Sequence, residues 1–329
     1  MILPSSHSSS GNQSAARNEG GPAELQGAES YVALSIGGQF EMPITIKKEI
    51  KNMTKVISIA NQKGGVGKTS TTVNLGAGLQ KLGFDVLLID LDAQGNLTMS
   101  LGFQDPDNLS YSITDALEKA VKEENIDPSE GILSTDEGID LMPANISLSE
   151  FEVRLINEYG REAMLKQFID SVKMNYDFIL IDCAPSLNIM TINALVASDS
   201  VLIPTQPQYF STAGLQMLFQ TINKVQHKMN PELQIEGVLV TMMDKRPKFT
   251  RELVSLIREA YGSSVHVFDT EIPTSIRMTE SGANGQSIFQ YDPKGKVAEA
   301  YENLAKEVVA NGRERQTVRS TTRTFETIR

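Results

Sequence analysis

A glycine-rich loop between an apolar run and a helical segment constrains this chain more than any other feature. The apolar run Val56–Ala60 leads directly into residues 61–70, NQKGGVGKTS. Glycines let backbone N–H groups turn toward an anion because no Cβ obstructs them, and the N-terminus of the following helix adds partial positive charge. A strand, a glycine loop and a helix in this order predict a cradle for the phosphates of a nucleotide.

Two side chains of this loop are typical of Mg-ATP binding. Lys68 is expected to reach the β- and γ-phosphates, and the Thr69 hydroxyl to coordinate Mg²⁺. The loop departs from the common pattern because Gln62 replaces the first glycine and Lys63 lies inside the loop. A lysine so close to phosphates favours the bound anion, so we count Lys63 as a candidate catalytic residue. The predicted nucleotide-binding residues are Lys63, Gly64, Gly65, Val66, Gly67, Lys68, Thr69 and Ser70.

Three acidic residues follow apolar runs further along the chain. Asp90 and Asp92 lie at the end of the run that starts at Val86, and Asp182 ends the run that starts at Phe178. Ligands of open α/β sheets bind at the carboxyl ends of the strands, where these three acids are expected to lie. We predict Asp182 as a Mg²⁺-linked residue and Asp92 as a catalytic residue.

Short apolar runs alternate with longer helical segments over most of the chain. The predicted strands are Val56–Ala60, Val86–Asp90, Ile139–Pro143, Phe178–Asp182, Val201–Thr205, Ile235–Met242 and Val265–Phe268. Continuous apolar runs are typical of parallel strands that are covered on both faces. The chain is therefore predicted to form an α/β, doubly wound, mostly parallel sheet of the P-loop NTPase class.

Composition sets the expected domain boundaries. Residues 1–53 begin with a stretch rich in Ser, Gly, Asn and Gln and are predicted to be a disordered tail. Residues 54–310 are predicted to form one ATPase domain, and residues 311–329 a basic, flexible tail. The net charge of −11 argues against attraction of nucleic acid by the whole surface, although it leaves room for a local basic patch.

Six motifs together resemble the ParA/Soj family of deviant Walker A partitioning ATPases, which are relatives of MinD. They are KGGVGKT (63–69), IDLDAQGN (89–96), IDCAPS (181–186), SDSVLIPTQ (198–206), EGVLVTMMD (236–244) and IPTSIRMTE (272–280). The similarity covers about residues 54–310. It implies ATP and Mg²⁺ as cofactors and a slow ATPase that a partner stimulates.

The resemblance also implies roles for single residues and for partners. Lys63 matches a lysine that reaches the partner's nucleotide in an ATP-dependent homodimer. Asp92 matches the acid that supports the attacking water, and Asp90 matches an acid linked to Mg²⁺. The expected function is partitioning of a plasmid, chromosome or mobile element by a cytoplasmic, nucleoid-associated ATPase. Its expected partners are non-specific DNA and a ParB-like centromere-binding protein, which acts through a short basic segment.

Other functions are alternatives to partitioning for an ATPase of this kind. A MinD-like positioning or regulatory ATPase would carry a strong amphipathic C-terminal anchor, whereas the apolar residues of the tail are dispersed, so no stable membrane anchor is expected. A metal-insertion factor or reductase component would need a cysteine cluster, and Cys183 is the single cysteine. Arg246 falls where the family carries a DNA-contacting arginine. The candidate DNA-binding residues are Lys224, Lys228, Lys245, Arg246, Lys248 and Arg251.

Overall fold

The structure is a computed structural model that describes residues 54–207, 211–244, 246, 248–262 and 265–326. Of residues 211–213, 248–251, 260 and 313–326 it describes the backbone alone. The predicted N-terminal tail, residues 1–53, lies outside the described residues. Within the described part, no helix combines the length and the apolar character that crossing a membrane requires.

An eight-stranded sheet runs through the centre of the molecule. Its strands are β1 (Lys55–Ile59), β2 (Val86–Leu91), β3 (Leu133–Ser134), β4 (Asp140–Met142), β5 (Phe178–Cys183), β6 (Ser200–Thr205), β7 (Gln234–Met243) and β8 (Val267–Pro273). Their order across the sheet is β3-β4-β2-β5-β1-β6-β7-β8. Every neighbouring pair is parallel except β3 and β4, which are antiparallel.

Helices connect the strands. They are α1 (Lys68–Lys81), α2 (Asn96–Ser100), α3 (Ile113–Val121), α4 (Ser147–Leu155), α5 (Met164–Val172), α6 (Ile189–Ala197), α7 (Ser211–Lys228), α8 (Lys248–Tyr261), α9 (Ile276–Ala283), α10 (Ile288–Tyr291) and α11 (Lys296–Glu326). Short 3-10 turns occupy Pro106–Asn108, Arg161–Ala163 and Lys173–Asn175. Because a parallel strand pair needs a crossover, most strands are followed by such a helix.

The two faces of the sheet bury separate apolar cores. Successive side chains of β2 alternate between them: Leu87 and Ile89 pack with helices α3 to α7, whereas Val86 and Leu88 pack with α1 and α11. This alternation follows from the two-residue period of a strand. Both faces are therefore covered by helices, which confirms the predicted doubly wound α/β fold.

The structure differs from the sequence-based expectation in three places. The two-residue strand β3 was not predicted, because two residues give no periodic pattern. Strand β8 runs from Val267 to Pro273, although the apolar run indicated Val265–Phe268; the polar residues Asp269, Thr270 and Glu271 hid its continuation. Helix α11 continues to Glu326, so the backbone is helical over most of the segment that was expected to be a flexible tail.

Candidate active site

The glycine loop connects the central strand β1 to helix α1. Gly65 and Gly67 have φ angles of 69° and 86°, which lie in the left-handed region that side-chain-bearing residues rarely adopt. Gly67 is the N-cap residue of α1, and Lys68 and Thr69 are its first two residues. The loop therefore presents backbone N–H groups at a helix N-terminus, as an anion site requires.

Neighbouring strands hold the loop in this conformation. The Asn61 side chain donates to the Pro204 carbonyl at 2.8 Å and accepts from the Lys63 backbone N–H at 3.0 Å. The Thr241 hydroxyl donates to the Val66 carbonyl at 2.7 Å. With these bonds satisfied inside the protein, the loop is shaped before any ligand arrives.

Thr69 and Asp182 meet at the start of α1. The Thr69 hydroxyl donates to Asp182 Oδ2 at 2.7 Å, and Thr72 reaches the other carboxylate oxygen at 3.4 Å. A hydroxyl and a carboxylate are hard oxygen ligands that suit Mg²⁺. The described residues contain no group of three or more Asp, Glu, His or Cys side chains able to hold a metal ion. Mg²⁺ at this position would therefore take its remaining ligands from phosphate and water.

Asp90 makes three hydrogen bonds that hold the segment after β2. Its Oδ2 accepts from the backbone N–H and the hydroxyl of Thr98 at 2.9 and 2.8 Å, and its Oδ1 accepts from the Asp92 N–H at 3.1 Å. The carboxylate thus anchors the N-terminus of α2 and shapes the turn that carries Asp92. Its role as a Mg²⁺ ligand stays a prediction.

Asp92 is the more accessible of the two acids. It is partly buried, and its Oδ1 accepts from the Gln94 N–H at 3.0 Å, which closes a tight turn. The other carboxylate oxygen, Oδ2, makes no hydrogen bond to any of the described residues. Asp92 therefore keeps one oxygen available for a water molecule.

Burial disfavours the charged forms of the ionisable groups around the loop. Desolvation raises the pKa of Asp182 to about 8, and the nearby charge of Asp90 adds to this effect. Desolvation also raises the pKa of Asp90 to about 7, against the hydrogen bonds from Thr98. The pKa of Lys68 is lowered by burial, and the attraction of Asp182 opposes the change. A bound phosphate and cation would restore the charged forms of these groups.

Lys63 lies beside Lys68 in the loop. The Lys68 ammonium donates to the Lys63 carbonyl at 3.4 Å, so the backbone of Lys63 helps to position the phosphate lysine. The residue as a whole is partly buried. The structure contains one copy of the chain, and the expected reach of Lys63 to a second copy stays a prediction.

A cavity of about 440 Å³ opens next to the N-terminus of α1. Its lining comes from the loop and α1, the end of β7, the end of β8 and the segment after it, helix α9, and single residues of α2 and α11. These residues are Gly67, Ser70, Ser100, Thr241, Met242, Ile272, Pro273, Thr274, Ser275, Met278, Thr279, Gly282, Ala283 and Tyr301. The volume and the mixed polar and apolar lining suit the base and sugar of a nucleotide whose phosphates lie in the loop.

Sequence reasoning predicted residues for the phosphate side of this candidate site and none for the cavity side. The motif at residues 272–280 supplies much of the lining, but none of its side chains is of a type that nucleotide binding requires. Met242 is a further signal that only the structure gives, because its φ of 52° is unusual for a residue other than glycine. Such backbone conformations cluster at functional sites.

The candidate DNA-binding residues are only partly described. Lys224 and Lys228 are exposed and lie one turn apart on α7. Lys245 lies outside the described residues, and for Lys248 and Arg251 the structure gives only their backbone positions in α8. Arg246 is 90% exposed and bonds to Asp244 in its own loop, with its Nη2 2.8 Å from Oδ2. The structure thus gives Arg246 an acidic partner that the sequence did not indicate.

Comparison with known proteins agrees with this geometry. A family model described as AAA domain matches residues 54–235. The sporulation initiation inhibitor protein Soj of Bacillus subtilis (strain 168) is 44% identical over 264 residues, which cover 79% of this chain and all of that protein. The chromosome partitioning protein ParA of Caulobacter vibrioides is 37% identical over 273 residues, 80% of this chain and 97% of that protein.

The chain belongs to the ParA/Soj family of P-loop ATPases. A solved structure of similar fold is the cobyrinic acid a,c-diamide synthase from Mycobacterium smegmatis with bound ADP and magnesium. It superposes with a TM-score of 0.67 at 37% identity and covers 77% of this chain and 93% of that one. The family resemblance inferred from the six motifs is thereby confirmed.

Proposed function

We propose that this chain is the Mg-ATP-dependent ATPase of a DNA-partitioning system. One observation carries the nucleotide part: the Thr69 hydroxyl and the Asp182 carboxylate meet at 2.7 Å beside the glycine loop at the N-terminus of α1. This hydrogen-bonded oxygen pair supports the proposal that Thr69 and Asp182 bind Mg²⁺ next to the expected β- and γ-phosphates. The cavity beside Gly67 supplies room for the adenosine.

The chain's own residues do the following work in this proposal. Loop N–H groups and Lys68 bind the phosphates and hold their charge in a fixed, partly buried environment. Thr69 and Asp182 hold the cation, which when bound neutralises charge on the phosphoryl group. Asp92 orients a water molecule for in-line attack, because the turn that ends at Gln94 leaves one of its oxygens available.

The partitioning part of the proposal adds assembly to this chemistry. ATP joins two copies, with Lys63 of each copy reaching the nucleotide of the other. The dimer binds duplex DNA without sequence preference through the basic residues around α7 and the loop after β7. A centromere-binding partner then accelerates hydrolysis and returns the protein to monomers.

DNA binding as a function of nucleotide tests this proposal. Two unrelated duplexes are titrated with the full chain in the presence of Mg-ATP, Mg-ADP or no nucleotide, at low and high salt. We expect binding with ATP only, equal for both duplexes, and strongly weakened by salt because phosphate contacts carry no base information. No binding with ATP at low salt contradicts partitioning and favours a positioning or regulatory role.

A further inference from the structure

Helix α2 is attached at its start to the segment that carries the acids. Its N-cap residue, Gly95, donates its N–H to the Asp92 carbonyl at 2.9 Å. Thr98, inside the helix, donates both its N–H and its hydroxyl to Asp90. The Thr98 hydroxyl also accepts from the Ala144 N–H at 3.2 Å. A shift of α2 would therefore move the turn that holds the Asp92 carboxylate.

The other end of α2 lies directly on the backbone that follows α9. Gly102, two residues after α2, has a φ of 100°, and Gly285, two residues after α9, has a φ of 68°. A Cβ at Gly285 would lie 2.6 Å from the Gly102 Cα and 2.8 Å from its nitrogen, which is closer than real Cβ atoms come. The two segments therefore touch backbone to backbone, as only glycine allows. These two residues form what we term the glycine contact.

The α9 side of the glycine contact is anchored to helix α1. Three residues after Gly285, the Ile288 N–H donates to Asn74 Oδ1 at 2.7 Å, and both of these residues are buried. The Asn74 amide in turn donates to the Ser70 carbonyl at 2.7 Å, in the first turn of the helix that begins at the phosphate-binding loop. The backbone at Gly285 is thus a fixed support against which the end of α2 is placed.

Both helices also line the cavity next to the N-terminus of α1. Ser100 lines it from α2, and Met278, Thr279, Gly282 and Ala283 line it from α9. The two walls are close, since Ser100 Oγ lies 3.7 Å from the position of a Cβ at Gly282. A nucleoside in this cavity would contact α2 at Ser100, and it would so give α2 a second support beside the glycine contact.

We propose that the nucleoside and the glycine contact together position α2, and that α2 positions Asp92 for hydrolysis. Gly102 and Gly285 are thus positioning residues for turnover. With the cavity empty, α2 keeps one of its two supports, and the Asp92 oxygen is no longer fixed against the attacking water. A misplacement of about 1 Å costs roughly 100-fold in rate. This positioning rests on the proposed ATPase function and adds a requirement to it: the base and sugar raise kcat as well as affinity.

Inorganic triphosphate is the probe for the role of the nucleoside. In both substrates water attacks the terminal phosphorus and the bond to the bridging oxygen breaks, so that phosphate is released and ADP or pyrophosphate remains. Phosphate release by the full chain with Mg²⁺ is measured at saturating concentrations of each. We expect kcat for ATP to exceed kcat for triphosphate by roughly tenfold or more. Equal kcat values overturn the positioning by the nucleoside, whereas absence of any ATP turnover refutes the proposed function.

Two matched glycine variants test the glycine contact. Gly285→Ala places a Cβ against the Gly102 backbone. The control Gly160→Ala adds one at a nearly equal φ of 67°, where Met164 Cε, at 3.8 Å, is its nearest neighbour. Gly285→Ala should bind ATP as the wild type does, because the phosphate-binding loop is unchanged. Its kcat for ATP should fall by roughly tenfold or more while kcat for triphosphate stays the same. The control should keep the wild-type ratio of the two.

Gly102→Ala is a second test of the same contact. Its Cβ would lie 3.7 Å from the Gly285 carbonyl oxygen, an ordinary distance, but alanine rarely adopts a φ of 100°, so the end of α2 must shift. This variant decides the question if the Gly285→Ala chain does not fold, which circular dichroism and melting temperature establish. A folded variant that keeps the wild-type ratio of kcat for ATP to kcat for triphosphate overturns the positioning role. A variant in which both kcat values fall equally also overturns it, because the effect is then merely structural.

Discussion

Asp90 and Asp182 are register partners on the adjacent parallel strands β2 and β5, and each is at most 1% exposed. Each acid is the second-to-last residue of its strand, so parallel pairing brings the two carboxyl groups to the same edge of the sheet. Burial raises the pKa of both carboxyl groups, and the nearby charge of Asp90 raises the pKa of Asp182 further. The phosphate-binding loop thus lies over a buried pair of acids that favours binding of a cation.

The stability of the nucleotide-free protein should fall as the pH rises. The pKa values of Asp90 and Asp182 are raised from 3.8 to about 7 and about 8, so the folded state binds more protons than the unfolded state between these limits. The stability that this extra proton binding contributes is fully present below about pH 4 and is lost as the pH rises through 7 to 8. The melting temperature without nucleotide should therefore be higher at pH 6 than at pH 8.5.

The variant Asp182→Asn provides the control for this pH dependence. The amide cannot ionise, so the difference between the two melting temperatures should shrink relative to the wild type. The three histidines are the same in both proteins, so they do not contribute to the difference. An unchanged pH dependence in Asp182→Asn contradicts the raised pKa.

Two substitutions should separate nucleotide binding from hydrolysis. Lys68→Ala removes the phosphate-binding ammonium, and we expect no detectable ATP binding by calorimetry. Asp92→Ala should bind ATP as the wild type does, because within the described residues its carboxylate accepts a hydrogen bond only from Gln94, in its own turn. Its turnover should fall by roughly 100-fold or more, since a group that positions or activates water contributes on that order. Undiminished turnover in Asp92→Ala would falsify the role given to that acid.

The sequence predicted the phosphate side of the site because that chemistry needs particular residues at fixed spacing. Glycines at 65 and 67, the lysine and the threonine are each required by geometry that any chain must satisfy. The cavity next to Gly67 could not be predicted, because its lining comes from five separate segments of the chain whose side chains have no required identity. The contact between Arg246 and Asp244 also escaped notice, since two residues of opposite charge in a loop have many possible partners.

Lys63 should be needed for formation of the dimer and not for binding of ATP. Lys63→Ala is expected to bind ATP with nearly wild-type affinity, because Lys68 and the loop N–H groups remain. It should stay monomeric with Mg-ATP, whereas Asp92→Ala, which retains ATP, should form a stable dimer in light scattering. Equal dimer content of Asp92→Ala with and without nucleotide rules out the ATP-driven switch.

Filling the cavity should weaken binding of the nucleoside and spare the phosphates. Gly282 lies on α9 at the cavity wall, and a Cβ there would meet only Ser100 Oγ, at 3.7 Å. Gly282→Ala should therefore fold normally and bind ATP, which makes it the control. Gly282→Leu should lower ATP affinity by roughly tenfold while binding of inorganic triphosphate stays unchanged. Equal ATP affinity of the two variants places the adenosine elsewhere.

Because Asp244 binds Arg246, substitutions at these two residues should change the affinity for DNA in opposite directions. Three hydrogen bonds between the two side chains lower the pKa of Asp244 to about 2, so the acid stays charged and holds the arginine throughout the physiological range. Asp244→Asn removes the negative charge that binds Arg246. It should strengthen DNA binding by roughly two- to fivefold, a change of the size expected from the free energy of an exposed ion pair. Anisotropy with labelled duplex and Mg-ATP measures the change.

Arg246→Glu should weaken binding to every duplex sequence alike and leave ATP affinity unchanged, because Arg246 lies in an exposed loop and contacts only Asp244 within the described residues. If each copy in a dimer contributes one Arg246, the log–log slope of affinity against salt should become shallower by about two. Deleting residues 313–329 tests the competing assignment, in which the C-terminal arginines contact DNA. A truncated chain that loses DNA binding while Arg246→Glu retains it places the contact on the C-terminal helix and removes it from the loop after β7. A salt slope unchanged in Arg246→Glu leads to the same conclusion, since a lost phosphate contact must reduce the number of ions released.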